Sequence, residues 1–336
     1  MLRKILNEAR FPLLITTTGP LLIKSGYATV SGPDMKPVLT YRNGKQEVYL
    51  PGSSLKGVFR SHLEKIICSL RPQVVCNPFW RADEEESGLQ VERKNDYLPS
   101  CGDRFERRAK RGENLDENTD TVYRDSCPAC RLFGSTWFIG RVAISDAYLV
   151  DRSKERKEQR DGVGIDRLTG GASHGAKFEL EVVASGVEFE ADVHLRNFEI
   201  WQLGMLFAVV QDMEDELVRL GSGRSRGLGK VKATTETQEQ EGYPSGVTTS
   251  IIRGSEEPEN ELWGLGRWLN DNSYGTKPND ILEFPEPIAR SDRGIRSIRI
   301  FKGEALRTLQ RQAINEFITR INNWPKPEAV EPIRTR

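Results

Sequence analysis

The tightest constraint on this chain lies in its middle, where long period-two alternation, a helical stretch, a glycine-rich turn and a short apolar strand follow one another between Lys177 and Ala233. Alternation in FELEVVASGVEFEADVHL describes strands with one buried face, and Ala184-Ser185-Gly186 reads as a turn inside a longer ribbon, so Lys177–Leu195 is a hairpin candidate. Over 197–220, Leu203, Leu206, Phe207, Val210, Leu217 and Leu220 fall on one side of a helix, with Gly221 where a C-terminal cap is expected. Strand Lys230–Ala233 closes the series.

The first half repeats the theme. Phe11–Ile23 is β-branched and apolar, broken at Gly19-Pro20, and predicts a strand with a bulge or turn. Pro51-Gly-Ser-Ser-Leu-Lys-Gly opens a helix that Ser53 or Ser54 can cap, and Leu55, Val58, Phe59, Leu63, Ile66 and Ile67 form its apolar face. Trp137–Val150 again has strand character. The order is strand, helix, strand, strand, helix, strand, which predicts an α+β fold with a ferredoxin-like core.

The remaining segments read as additions. Residues 72–135 are charged, cysteine-bearing and poor in periodic apolar positions, and predict an insertion rather than core. Residues 236–262 predict a surface linker, Ala305–Ile321 a last amphipathic helix, and the tail beyond Trp324 loose chain. The domain reading is a core over 1–235, containing the 72–135 insertion and a second one at 151–177, and a C-terminal extension over 236–336.

With 336 residues and 37% hydrophobic content the chain can bury a substantial core. Its 49 basic and 49 acidic residues cancel, so only local clustering bears on an anionic partner. Basic residues gather in Arg104–Arg111, Gly221–Lys232 and Arg290–Lys302. No stretch approaches the apolar length of a membrane span. Five cysteines without an export signal point to thiols or a metal site in a cytoplasmic protein.

Four groups of residues carry candidate chemistry. In Gly221–Val231, glycines permit close approach to a ligand, and Arg224, Arg226 and Lys230 add positive potential with no acid inside the segment, which suits phosphates. The same loop reads equally as a connector. Cys76, Cys101, Cys127 and Cys130, the last two in a CxxC, can share a tetrahedral Zn²⁺, whereas Cys68 reads as a core thiol. The plain alternative is that these are incidental thiols. Asp34, in Ser31-Gly-Pro-Asp-Met-Lys-Pro-Val38, is either a turn former or a carboxylate at a phosphodiester. The charged, glycine-rich Asp151–His174 reads as a solvated loop or as a finger touching nucleic acid through Arg152, Arg156, Lys157, Arg160 and Arg167. His174 and His194 are isolated, and His62 reads as an exposed helix residue. No nucleophile elbow, Walker A loop or dinucleotide fingerprint is present, which excludes those enzyme classes.

Four short motifs follow one another in order: Pro51-Gly-Ser-Ser-Leu-Lys-Gly-Val-Phe-Arg60, Cys130-Arg-Leu-Phe-Gly134, Gly164-Ile-Asp-Arg-Leu-Thr-Gly170 with Gly175-Ala-Lys-Phe178, and Gly221–Gly229. Together they resemble the RAMP superfamily, in particular the backbone subunits of type III CRISPR effector complexes. The resemblance covers about residues 11–235 and implies a modified RNA-recognition-motif core with a thumb insertion. It implies guide CRISPR RNA, target RNA and other effector subunits as partners, with RNA read through its backbone. Lys56, Arg60, Arg167, Gly223, Arg224, Ser225, Arg226 and Gly227 are the RNA-binding residues it suggests. By position Asp34 resembles the aspartate that supports metal-dependent target cleavage, with Mg²⁺ or Mn²⁺. A structural subunit without chemistry, and a guide-processing endoribonuclease using His62, are the alternatives. The long insertion and extension imply a variant rather than a generic repeated subunit.

Overall fold

Strand β1 (Glu8–Thr17) turns Ala9, Phe11, Leu13 and Ile15 to one side, where all four are buried, and Arg10, Pro12, Leu14 and Thr16 to the other. In the computed structural model, which describes residues 3–26, 32–80, 97–236 and 245–325, this strand sits inside an eight-stranded antiparallel sheet. The molecule is thus mixed α+β around one main sheet.

After β1 come the small hairpin β2 (Leu39–Arg42) and β3 (Lys45–Val48), then helix α1 (Gly52–Leu70). Three short helices follow, α2 (Cys101–Lys110), α3 (Thr119–Arg124) and α4 (Pro128–Phe133), with the paired β4 (Gly134–Ser135) and β5 (Phe138–Ile139). Next are β6 (Val142–Ile144), β7 (Tyr148–Leu149), β8 (Lys157–Ile165), β9 (Ala172–Val183) and β10 (Glu188–Arg196). Helix α5 (Ile200–Glu214) and β11 (Val231–Thr234) precede β12 (Val247–Ile252), β13 (Glu261–Trp263) and α6 (Leu265–Leu269). The chain continues with β14 (Ile281–Glu283), β15 (Ser291–Arg293), β16 (Arg296–Phe301) and α7 (Gly303–Asn322).

β10 pairs along the length of β1, Glu8↔Arg196 to Thr16↔Glu188, and carries β6 and β7 on its far edge. The other edge of β1 is shared. β11 takes its C-terminal half and β12 its first residues, and β16 and β15 continue outward from β12. The order β11–β1–β10–β6 joins the strands that the sequence assigns to the core, and the rest of the sheet comes from the C-terminal third. Helix α5 covers the apolar side of β1, with the Phe11 and Phe207 rings 5.8 Å apart.

Several local expectations are corrected. The apolar stripe of α1 is real, with Leu55, Phe59, Leu63 and Ile67 buried, but neither Ser53 nor Ser54 caps the helix. Asp146 Oδ1 accepts the Gly52 N–H at 2.7 Å instead, and a Cβ on Gly52 would lie 2.4 Å from Ile144 O. The start of α1 is therefore held by a remote segment. Lys177–Leu195 is not a hairpin: β9 pairs with β8 as a two-stranded arm, while β10 joins the main sheet. Both strands alternate, but the partner of each is chosen by distant residues. Helix α5 ends at Glu214, so Leu217 is exposed and Gly221 does not cap it.

The supposed linker contains a sheet strand, since Val247, Thr249 and Ile251 of β12 point inward and are buried. The described part of 72–135 also joins the main core, through Val74, Val75, Phe105, Val122, Leu132 and Phe133. The acidic run Asp83–Glu86 and the tail expected to be loose past Trp324 lie outside the described residues, Pro325 excepted. Among the described residues no helix is long and apolar enough to cross a membrane.

The C-terminal third is tied to α5 at two points. A Cβ on Gly204 would stand 1.9 Å from Ala313 O, so α5 and α7 touch backbone to side-chain-free backbone. Gly204→Val should cost roughly 2–3 kcal/mol through this overpacking, read as a lower urea midpoint. At the N-terminus of α5, Asp280 accepts the Ile200 N–H at 3.2 Å and the Gly266 N–H at 3.3 Å. Burial, and then the nearby Glu199 carboxylate, push its carboxyl up to about 8. A folded-state pKa above the unfolded one makes this contribution largest at acid pH and removes it as pH rises toward about 8. Asp280→Asn should flatten the corresponding fall in urea midpoint; an unchanged slope contradicts the assignment.

Candidate functional site

The glycine loop packs against the chain that leaves β1. Ser222 N–H donates to Leu22 O at 2.8 Å, and a Cβ on Gly221 would fall 2.2 Å from that carbonyl, so the approach requires glycine. Gly223 and Gly227, at φ 70° and 86°, bound a single 3₁₀ turn over Arg224–Arg226. Arg224, Ser225, Arg226 and Gly227 are exposed, while Leu228 is buried with Leu22 and Val182 in a small cluster flanked by Met35 and Leu180. The loop is less purely basic than its sequence suggests, because Lys230 is ion-paired with Glu216.

That cluster lies where the β8–β9 arm joins the body. Arg226 places its guanidinium carbon 5.3 Å from the centroid of the Phe178 ring on β9. At the next residue, the Glu179 N–H donates to Asp34 Oδ2 at 2.8 Å, and Met35 bridges to Leu180. Asp34 and the glycine loop, far apart in sequence, thus meet at neighbouring residues of one strand. Asp34 is exposed.

The arm is a β-hairpin rather than an irregular loop, and most of its charges are paired along it. Lys177 lies 3.0 Å from Asp161 and 3.2 Å from Glu179, Arg160 is 3.0 Å from Glu158, and Lys157 is 3.3 Å from Glu155. Arg152 is taken up by Glu47. Arg167, at the tip beside the Asp166 turn, is exposed with no partner among the described residues, and Leu168 next to it is 98% exposed.

The four cysteines converge. Their sulfurs all lie within 4.8 Å of one another, with Cys76–Cys130 at 3.5 Å and Cys76–Cys127 at 3.6 Å, and all four are buried. Four thiolates around one tetrahedral ion with metal–sulfur bonds of about 2.3 Å would be separated by about 3.8 Å, so the donor set and its spacing fit a closed metal site. The Cys127 N–H points at Cys101 Sγ and the Cys130 N–H at Cys127 Sγ, both at 3.4 Å, which orients the sulfurs from behind. Cys68 stays outside the group and packs at the edge of the core.

Lys56 and Arg60 lie on α1, not at the glycine loop. Lys56 Nζ donates to Val142 O at 3.3 Å, and burial together with Arg60 lowers its pKa. Arg60 reaches Cys130 Sγ at 3.5 Å and Glu64 at 2.8 Å; burial disfavours its charge, but Cys130 and Glu64 outweigh that and raise its pKa. His62 is not an exposed helix residue, since its Nε2 lies 2.6 Å from Asp212 Oδ2 and joins α1 to α5. His194 is engaged by Glu8 at 3.1 Å.

Sequence reading missed Phe178 as a contact of the glycine loop. It also missed a buried network behind the cysteines. Arg131, beside Cys130, faces Glu199 at 3.6 Å and lies over Tyr123 and Trp324, at 5.1 and 4.6 Å from their ring centroids. Tyr123 donates to Glu199 at 3.0 Å. The only local signal was a charged residue directly following the CxxC.

A sequence model of the RAMP superfamily matches residues 14–232. The chain belongs to the RAMP superfamily. The RAMP region runs from inside β1 into β11 and includes Asp34, the cysteine group, the arm and the glycine loop, while β12 to α7 lie beyond it. The protein is also similar to the CRISPR system Cms endoribonuclease Csm3 of Methanocaldococcus jannaschii, at 25% identity over 218 residues, or 60% of this chain and 68% of that one.

If the cysteines hold a metal, the purified chain should retain a divalent ion by elemental analysis, and Cys127→Ser should lose it together with thermal stability. A metal-free protein that melts like the variant contradicts the site.

Proposed function

We propose that this chain is a guide-RNA-binding backbone subunit of a type III CRISPR effector complex, working in the cytoplasm, which cuts bound target RNA beside Asp34. Membership of the RAMP superfamily and the similarity to a Csm3 endoribonuclease support the subunit reading. The antiparallel order β11–β1–β10–β6, with α1 and α5 as its long helices, supports a ferredoxin-like, RNA-recognition-motif core, in which 72–135 and the arm are insertions and 236–336 an extension. The observation that carries the catalytic part is the meeting of Asp34 and the glycine loop at Phe178–Glu179.

Exposed Arg224 and Arg226, with the backbone of Gly223, Ser225 and Gly227, are assigned to phosphate contacts, and Arg167 to contacts at the arm's tip. The head groups of Lys56 and Arg60 are already engaged inside the fold, so their share of RNA binding is smaller. The arm is read as the thumb that enters the guide–target duplex. The cysteine group is read as a structural Zn²⁺ site, because four buried thiolates suit that ion and leave no open position for chemistry.

In the cut, the 2′-hydroxyl gives up its proton as its oxygen attacks the adjacent phosphorus, the bond to the 5′-oxygen breaks, that oxygen takes a proton from water, and the products end in a 2′,3′-cyclic phosphate and a 5′-hydroxyl. Asp34 is an exposed carboxylate, a hard oxygen donor of the kind Mg²⁺ or Mn²⁺ takes, so it is the residue that would hold such an ion here. Such an ion supplies charge stabilisation at the phosphate. Asp34 itself, fixed by the Glu179 N–H, orients toward the scissile group or accepts the 2′-hydroxyl proton.

In the assembled complex, Asp34→Ala should slow cleavage at one target position by about 10²–10⁴-fold while assembly and guide content stay unchanged. Undiminished cutting at every position would assign Asp34 to the turn alone and leave a structural subunit. Guide binding should also weaken steeply with salt as counterions are released, and binding indifferent to salt would oppose a phosphate-led interface.

A further inference from the structure

Gly162 stands directly opposite Phe178 across the arm. A Cβ built on it would lie 2.1 and 2.2 Å from Phe178 Cζ and Cε2, so the ring lies against the bare backbone of β8 at this point. Glycine inside a strand commonly marks such a close approach, and an aromatic ring across from it covers the exposed backbone. Arg226 approaches the same ring, with its guanidinium carbon 5.3 Å from the centroid, within cation–π range. The ring thus meets both the β8 backbone at Gly162 and the Arg226 guanidinium.

We infer that Phe178, seated on Gly162, is a positioning residue that holds Arg226 beside Asp34 for contact with an RNA phosphate. The inference rests on the RNA-binding reading above and identifies what fixes that contact. A guanidinium held against an aromatic ring by cation–π attraction accepts no hydrogen bond from it and keeps its N–H donors available for a phosphate. Arg226 is exposed and has no carboxylate partner among the described residues, so its charge is not spent within the fold. The 3₁₀ turn that carries it is bounded by two left-handed glycines and has little side-chain packing of its own. Without the ring, a long side chain on such a turn samples many rotamers. The adjacent Glu179 N–H holds the Asp34 carboxylate, so consecutive residues of β9 contact the Arg226 guanidinium and the Asp34 carboxylate.

The test measures binding of a mixed-sequence single-stranded RNA to the full chain over a salt series. Arg226→Ala should weaken binding and lower the slope of log K against log salt by about 1. Phe178→Leu, which keeps an apolar side chain but removes the π face, should reproduce most of that loss, and Phe178→Tyr should restore it. Gly162→Ala displaces the ring through its new Cβ while leaving Phe178 and Arg226 themselves unmutated, and should act in the same direction. In the Arg226→Ala background Phe178→Leu should add nothing. Wild-type binding without salt dependence, or Arg226→Ala indistinguishable from wild type, overturns the RNA-binding reading of the loop itself. If Arg226→Ala weakens binding while Phe178→Leu and Gly162→Ala bind like wild type with equal melting temperatures, or if the two losses add in full, the positioning role alone is overturned.

Discussion

The shared edge of β1 is the constraint on which the rest depends. One side of the strand is filled by β10 along its length, and the other is divided between β11 and β12. Among the described residues, only the stretch 11–13 between those two partners lacks a ladder neighbour on that edge. The two arrivals on the divided edge come from different parts of the chain: β11 from the RAMP region and β12 from beyond it. The C-terminal third is therefore built into the sheet, and it is locked a second time where Gly204 lets α7 lie on α5 and where Asp280 accepts the first N–H of α5.

With the body fixed in this way, two local sites are held at its margins. The cysteine group lies between α1 and α4, oriented by backbone N–H groups and by Arg60, and backed by the Arg131–Glu199–Tyr123 network. Burying that ion pair is tolerable because Arg131 also donates to the Arg124 and Gly275 carbonyls and lies over Tyr123 and Trp324, while Glu199 accepts from the Tyr123 hydroxyl. The arm springs from the turn that Thr17 secures, accepting the Val187 N–H at 2.9 Å. Its base gathers Asp34, Phe178 and Arg226. The proposed chemistry thus sits on a hairpin strand rather than on loops alone, and the loops are held to it by single, identifiable contacts.

Much of this was legible in the sequence where the signal is local. The stripe Leu55, Phe59, Leu63 and Ile67 follows from helical periodicity, and the four cysteines from the chemistry of thiolates near a CxxC. What was not legible depends on distant partners. Alternation identified β9 and β10 as strands but could not say that the first belongs to the arm and the second to the sheet. The run Val247–Ile252 looked like linker because two threonines and a serine hide its period-two pattern, although inward Thr249 is buried with Val247 and Ile251. Local capping rules pointed to Ser53 or Ser54, whereas the acceptor is Asp146 from the β6–β7 segment. Phe178 carried no sign of this contact role, because its meaning comes from its neighbours Gly162 and Arg226.

The central claim is that RNA runs over the base of the arm, between the glycine loop and Asp34. Its most direct measurement is photo-cross-linking of the full chain to guide RNA, with the cross-linked peptides identified by mass spectrometry. The account predicts cross-links in 221–229 and around Phe178. Cross-links confined to the open face of the main sheet, at Arg10, Tyr148 or Arg296, would contradict it.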